Sequence, residues 1–248
     1  MPMQISISNA IGGGGGAQGA GGSSFTNTKS IDLDGVDDYV DLGNPTSLRI
    51  TGDLSISAWF KTTSTVTQMI VAKDRVSPNT LRAYMLFYSG STNTIRFYIY
   101  KTGGVVATVT STSTVTDGNW HHVLATHNGT NMKIYIDGTL EDSNTDGGTI
   151  QDITTDVFIG RRFGSGGGSF KNFFNGNIDE VAIWNSDQSA NASAIYNSGV
   201  PNDLASLSPL SWWRCGDGDT APTLTDNGSG GNNGTMTNFS TFSTDVPT

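Results

Sequence analysis

The chain is poor in several things, and each shortage excludes something. It has one cysteine, Cys215. No internal disulfide can form, which excludes a small cross-linked scaffold. Basic residues are few: 13 Lys and Arg against 22 Asp and Glu, a formal charge of −9. Direct binding to nucleic-acid phosphate needs a basic surface and is excluded as a main role. Hydrophobic residues make up only 35%, and no run approaches the roughly 20 apolar residues of a membrane-spanning helix. The first residues, MPMQISISNAIGGGGG, have neither a basic stretch nor a long apolar one. The reading is a product made and folded in the cytoplasm. Glutamate is nearly absent, with only Glu141 and Glu180. There is no Gly-Lys-Ser/Thr phosphate loop, and no serine elbow with matching His and Asp.

What is present is glycine, 32 residues of it, with Ser, Thr, Asn and Asp. These residues accept turn backbone angles at low cost, so they suit short strands joined by many turns. Leu54-Ser55-Ile56-Ser57-Ala58-Trp59-Phe60 alternates with period two. Tyr84 to Tyr88 and Ile95 to Tyr100 read as hairpin arms, and Asn128-Gly129 joins Trp120–Thr126 to Met132–Ile136. Such repetition predicts an all-β sandwich of two antiparallel sheets. One helix is expected over Ser189 to Tyr196, stopped by Gly199. The length, 248 residues, allows one substantial core without cross-links.

Three segments are expected: an arm at 1–30, a sandwich at 31–200 and a completing segment at 201–248. The arm carries Ile5, Ile7 and Ile11, then the run Gly12 to Gly16. Glycine loses the most backbone entropy on ordering, so such a leader is a tether unless a neighbour holds it. It is read as an assembly arm that docks on another subunit.

Three strings in order carry a family resemblance: SIDLDGVDDYVDLG (30–43), GNWHHVLATHNGTNMKIYIDG (118–138) and FFNGNIDEVAIWN (173–185). Together they resemble the laminin-G-like, concanavalin A-like lectin family. The resemblance implies a jelly-roll sandwich used mainly for binding. In that family a Trp strand, an acidic Gly turn and Asn-Asn-Gly-Thr usually stand near the start. Here SPLSWWRCGDGDTAPTLTDNGSGGNNGTMTN stands at 208–238. A circular permutation that refills the same sandwich is the favoured reading, and a truncated second domain the other.

The resemblance also frames the chemistry. Glycosidases of this fold carry Glu-x-Asp-x-x-Glu on one strand, and this chain has no such string. Asp179 and Glu180 are adjacent and so expected on opposite faces. The protein is therefore read as non-enzymatic. His121, His122 and His127 are expected as hydrogen-bonded strand residues and not as a metal set. Family members often hold a structural Ca²⁺ between an early turn and the last strand. The matching residues are Asp34, Asp37 and Asp179, whose plain alternative is turn capping. Sugar platforms would come from Tyr84, Tyr88, Tyr98, Tyr100 or Trp184, with Trp59, Trp120, Trp212 and Trp213 in the core; no glycan site is fixed by the sequence.

Laminin-G-like domains with Gly/Ser/Thr-rich flanks and a Tyr196-Asn-Ser-Gly-Val-Pro-Asn-Asp-Leu204 … Trp212-Trp213-Arg214 tail resemble those in tailed-phage virion proteins. The first expectation is a capsid decoration or fibre-like protein, a homo-oligomer that contacts other virion proteins and is made in the host cytoplasm. The alternative is a free, extracellular carbohydrate-binding lectin or adhesin, Ca²⁺-dependent or not. A divergent glycanase using Glu141 or Glu180 is the third.

Overall fold

Period-two alternation sorts the side chains of this chain into two layers. A computed structural model describes residues 25–75, 81–164 and 169–248. In chain order the elements are β1 (Ile31–Asp34), β2 (Tyr39–Asp41), β3 (Leu54–Lys61), β4 (Gln68–Asp74), β5 (Arg82–Ser89), β6 (Thr94–Lys101), β7 (Val105–Thr110), β8 (Trp120–His127), β9 (Met132–Ile136), β10 (Thr139–Asn144), β11 (Phe158–Ile159), β12 (Arg162–Phe163), β13 (Phe170–Lys171), β14 (Asn175–Trp184), α1 (Ala192–Tyr196), β15 (Ser211–Trp213), β16 (Thr223–Leu224) and β17 (Gly234–Thr237).

Among the described residues, one sheet runs β1-β14-β3-β8-β9-β10, with β15 also on β14. The other runs β16-β17-β2-β11-β4-β5-β6-β7. The pairs in both are antiparallel. The inward residues of both sheets, such as Ile56, Phe60 and Ile178 against Ile70, Leu86 and Phe97, form one core. The expected two-layer antiparallel sandwich is what the chain forms.

The two outer faces differ. On the first sheet, Leu124, Ala182, Trp184 and Trp212 pack under Ala192, Ile195 and Leu204 of the segment after β14. That cover explains why the polar positions of β3 are buried. Ser55 Oγ donates to Ser186 O (2.7 Å) and accepts from Gln188 N (2.9 Å). The expected helix is shorter than read: a 3₁₀ turn at Ser189–Asn191, then α1. Asn197, in the left-handed region at φ 48°, ends it, and not Gly199.

The C-terminal segment feeds both sheets. Trp213 pairs with Val181 on β14, while β17 pairs with β2 and β16 with β17. Trp213 is fully buried and donates to Asn232 O at 2.8 Å. Gly228 lies so near the Leu210–Ser211 backbone that a Cβ would sit 2.6 Å from Ser211 Cα, a close approach that only glycine permits. Ser30 and Ser243 exchange two backbone hydrogen bonds (3.1 and 2.9 Å), so these two stretches lie side by side. The arm residues Ile5, Ile7, Ile11, Gly12 and Gly16 lie outside the described residues.

Candidate functional site

Among the described residues, no helical segment lies over the outer face of the second sheet as 192–207 lies over the first. On β6, Ile95, Phe97 and Ile99 point into the core, which turns Arg96, Tyr98 and Tyr100 outward. Met69, Ala72, Met85, Phe87 and Tyr100 make a separate buried apolar cluster there, with half-buried Tyr98 packed against it. Register places the residues in rows: Met69, Phe87, Arg96 and Thr110 in one, and Phe158, Ala72, Met85, Tyr98 and Thr108 in the next. Phe87 and Tyr98 meet edge to face at 5.0 Å.

Polar groups frame this patch. Asp74 is fully buried and holds Arg82 (Nε–Oδ1 2.6 Å) and Arg162 (Nη1–Oδ2 3.3 Å). Arg82 lies over the Tyr100 ring at 4.2 Å, and burial pushes the Tyr100 phenol up to about 12. Arg162 Nε donates to Asn172 Oδ1 (2.9 Å). Arg96 Nη1 donates to the Tyr98 hydroxyl (3.1 Å). At the end of the face the β12–β13 hairpin is held down by Arg161. Its guanidinium is packed against Tyr39, Phe158 and Phe170 at 3.7, 3.6 and 3.3 Å. Burial pulls Arg161 down to about 10.

Of the aromatic platforms read from the sequence, Tyr98 fits. Tyr84 and Tyr88 are core residues, because alternation on β5 turns them inward with Leu86. Tyr84 donates to Leu48 O and Tyr88 to Asn93 Oδ1. Trp184 faces outward on β14 but is sealed beneath the 192–207 segment and donates to Leu207 O. Trp120, read as core, is half-buried and donates to Asp245 Oδ1 at 2.8 Å.

The acidic residues are divided otherwise than expected. Asp34, Asp37 and Asp38 bring carboxylate oxygens within 4.8 Å of one another. Asp34 Oδ1 accepts from Val36 N (2.7 Å), Asp37 N and Asp38 N, and these backbone bonds, Val36 foremost, hold its carboxyl below the usual range. Burial raises Asp38. The cluster is all-oxygen and suits a hard cation. Asp179 is not part of it. Ile31 pairs with Ile178 and Asp34 with Asn175, so Asp179 sits four positions along the ladder, about 13 Å away at 3.3 Å per residue. It accepts from Asn27 Nδ2 at 2.8 Å instead.

Asp179 and Glu180 do not alternate across the sheet as adjacent strand residues would. A bulge lies between Asp179 and Ala182, and Glu180 has φ 47°. An extra residue in one strand breaks the up-and-down order, and both carboxylates end up buried. Glu180 accepts from Trp212 Nε1 (2.6 Å) and Arg214 Nε (3.1 Å). Burial still raises Glu180 to about 7 and Asp179 well above its usual value. Trp212 and Arg214 line a polar pocket with Phe25, Asp203 and Asn227 beside this pair.

The histidines occupy three separate settings. His121 bonds Asp137 (2.8 Å) and Asp117 (3.1 Å), and the Asp137 bond raises it above its ordinary value. His122 bonds Ser57 Oγ (2.8 Å) and burial lowers it to about 3. His127 bonds Gly52 O. Glu141, half-buried on β10, accepts from Thr112 N, Ser113 N and Ser113 Oγ, which ties the 110–113 chain to that strand.

Residues 34–192 match the model of the concanavalin A-like lectin/glucanases superfamily (the laminin G type). No curated protein matches the chain. Solved structures share the fold at low identity. A candidate carbohydrate-binding protein from Bacteroides ovatus aligns over 90% of this chain and 62% of its own, with 18% identity and TM-score 0.69. The chain thus spans less than two thirds of that protein. The CBM40 of Ruminococcus gnavus IT-sialidase, bound to α2,3-sialyllactose, aligns over 68% of this chain and 95% of its own (16%, 0.57). A heptameric SAP-like pentraxin from Limulus polyphemus aligns over 68% and 82% (15%, 0.53).

Proposed function

Because the chain belongs to the concanavalin A-like lectin/glucanases superfamily, we propose that it is a carbohydrate-binding module whose site is the outer face of the second sheet. One observation carries the reading. There the half-buried Tyr98 ring, backed by the buried rings of Phe87 and Tyr100, offers an aromatic shelf framed by Arg82, Arg96, Asn172 and Thr108. Sugars present apolar C–H faces and a rim of hydroxyls, and a shelf of rings with donors and acceptors at its edge answers both. The bound sugar of the Ruminococcus gnavus module lends support by analogy of fold.

Binding alone is proposed, with no hydrolysis. The two buried carboxylates of β14 sit on the opposite sheet and are engaged by Asn27, Trp212 and Arg214. A virion role would rest on the leader, which lies outside the described residues, and on the likeness of the flanks and the Tyr196–Arg214 tail, whereas glycan binding has the fold neighbours in its support. Glycan recognition is therefore put ahead of particle decoration, with an extracellular place of action. Should a structural Ca²⁺ be held, Asp34, Asp37 and Asp38 are its ligands.

The test is a glycan array probed with the full chain and with Tyr98→Ala. Binding that Tyr98→Ala abolishes, with an unchanged melting temperature, is the expected result. Binding that survives Tyr98→Ala moves the site elsewhere, and no bound glycan refutes the reading.

A further inference from the structure

Arginine is distributed very unevenly in this acidic chain. Of seven arginines, Arg82, Arg96 and Arg162 sit on the proposed face, and Arg75 and Arg161 pack on the rings of the adjoining hairpin. The carboxylate that answers the first three is Asp74, and it answers only two of them. Arg82 and Arg162 both end on Asp74. Arg96 has no carboxylate partner among the described residues, and its Nε is buried without a hydrogen-bond partner. Three guanidiniums against one carboxylate leave an excess of two positive charges beside the shelf. The molecule as a whole carries −9.

We infer that the ligand of this face is an acidic saccharide, one bearing a carboxylate or a sulfate, held by Arg96 with Arg82 and Arg162. The inference rests on the glycan-binding reading and narrows it. A guanidinium offers five N–H donors in a planar fork, and Asp74 uses few of those on Arg82 and Arg162. The remaining donors match the paired oxygens of a carboxylate or sulfate. The buried Asp74 serves as the brace that fixes Arg82 and Arg162 in place, and the Tyr100 ring under Arg82 does the same from below. A neutral sugar would leave the Arg96 charge half-desolvated and unanswered, which disfavours it. Elsewhere the acidic surface repels anions, so the acid group of the ligand also sets the face on which it lands.

The experiment uses the full chain on an array in which each neutral glycan is printed beside its sialylated, uronic-acid and sulfated counterparts. Inorganic sulfate serves as a competitor. Acidic members should bind at least about tenfold more tightly than their neutral partners, the size of one charge-assisted hydrogen bond. That preference should shrink as salt rises. Arg96→Gln should cost acidic glycans about tenfold more than it costs their neutral partners, so that the preference for acidic members collapses. Arg96→Lys should recover part of the loss. The carboxylate and sulfate arms show which group is preferred, and either preference supports the inference. Equal or better binding of the neutral partners overturns it while glycan binding stands. An array with no bound member overturns the underlying reading itself.

Discussion

Replacing Glu180 by glutamine should change the way stability depends on pH. Burial lifts this carboxyl from 4.5 to about 7, against the opposing pull of Arg214 and Trp212. The folded protein therefore keeps a proton that the unfolded chain has already released. Its contribution to stability is fully present below about pH 4.5 and is lost as pH rises to about 7. Within that window each pH unit costs about 1.4 kcal/mol, and the whole passage is on the order of 3 kcal/mol. Glutamine has no such proton, yet its amide oxygen can still accept from Trp212 Nε1. The stability of Glu180→Gln minus that of the wild type should thus climb by about 3 kcal/mol from pH 4.5 to 7. Losing the partner of Arg214 only adds a constant offset. Asp179, raised by burial and then by the Glu180 charge, reinforces the same sign. His122 runs the other way: burial lowers it from 6.5 to about 3, so its contribution is present above 6.5 and fades as pH falls. The wild-type curve therefore mixes opposing slopes, and only the difference isolates the carboxylate. Urea unfolding followed by tryptophan fluorescence at several pH values measures it, and thermal melts should diverge by roughly 6–12 °C. Parallel curves for the two proteins across the window would refute the reasoning.

Two other perturbations test the remaining structure. Ca²⁺ in hundredfold excess over its dissociation constant should stabilise the protein by about 2.7 kcal/mol. Asp38→Asn should abolish that gain and Asp179→Asn should not; a chelator titration followed by melting temperature checks both. Trp213→Ala should cost about 3–5 kcal/mol, as for a large core deletion, and denaturant unfolding with an unchanged slope reads it. A loss under 1 kcal/mol would mean that the C-terminal segment is an appendage, contrary to its pairing with both sheets.

Fold class was legible because each strand repeats a simple alternation. Ile95, Phe97 and Ile99 on β6 announce one buried face, and the same pattern already turns Arg96 and Tyr98 outward. The string around Trp212-Trp213 and Asn232-Asn233-Gly234 also signalled a core strand and its return, and the chain pairs them so. What stayed hidden depends on contacts distant in sequence. Trp184 obeys the alternation, yet the 192–207 segment then covers it. Asp179 and Glu180 look like an alternating pair, and a single left-handed residue undoes that. Asp38 carries no sequence signal of its own, and only the folding of the 34–38 turn brings its carboxylate within 4.8 Å of those of Asp34 and Asp37. The bond of Asp74 to Arg162 spans 88 positions, so no local pattern could reveal that brace.

The Ser30–Ser243 pairing bears on how the domain responds to tension. Antiparallel partners send their outer continuations off in the same direction, so pulling residues 25 and 248 apart peels the two hydrogen bonds in succession, like a zip. Before that, the grip of Lys61 and Trp120 on Asp245 (2.7 and 2.8 Å) must give way. A protein tugged at this corner would open there, with its arginine-rich face on the other sheet still folded.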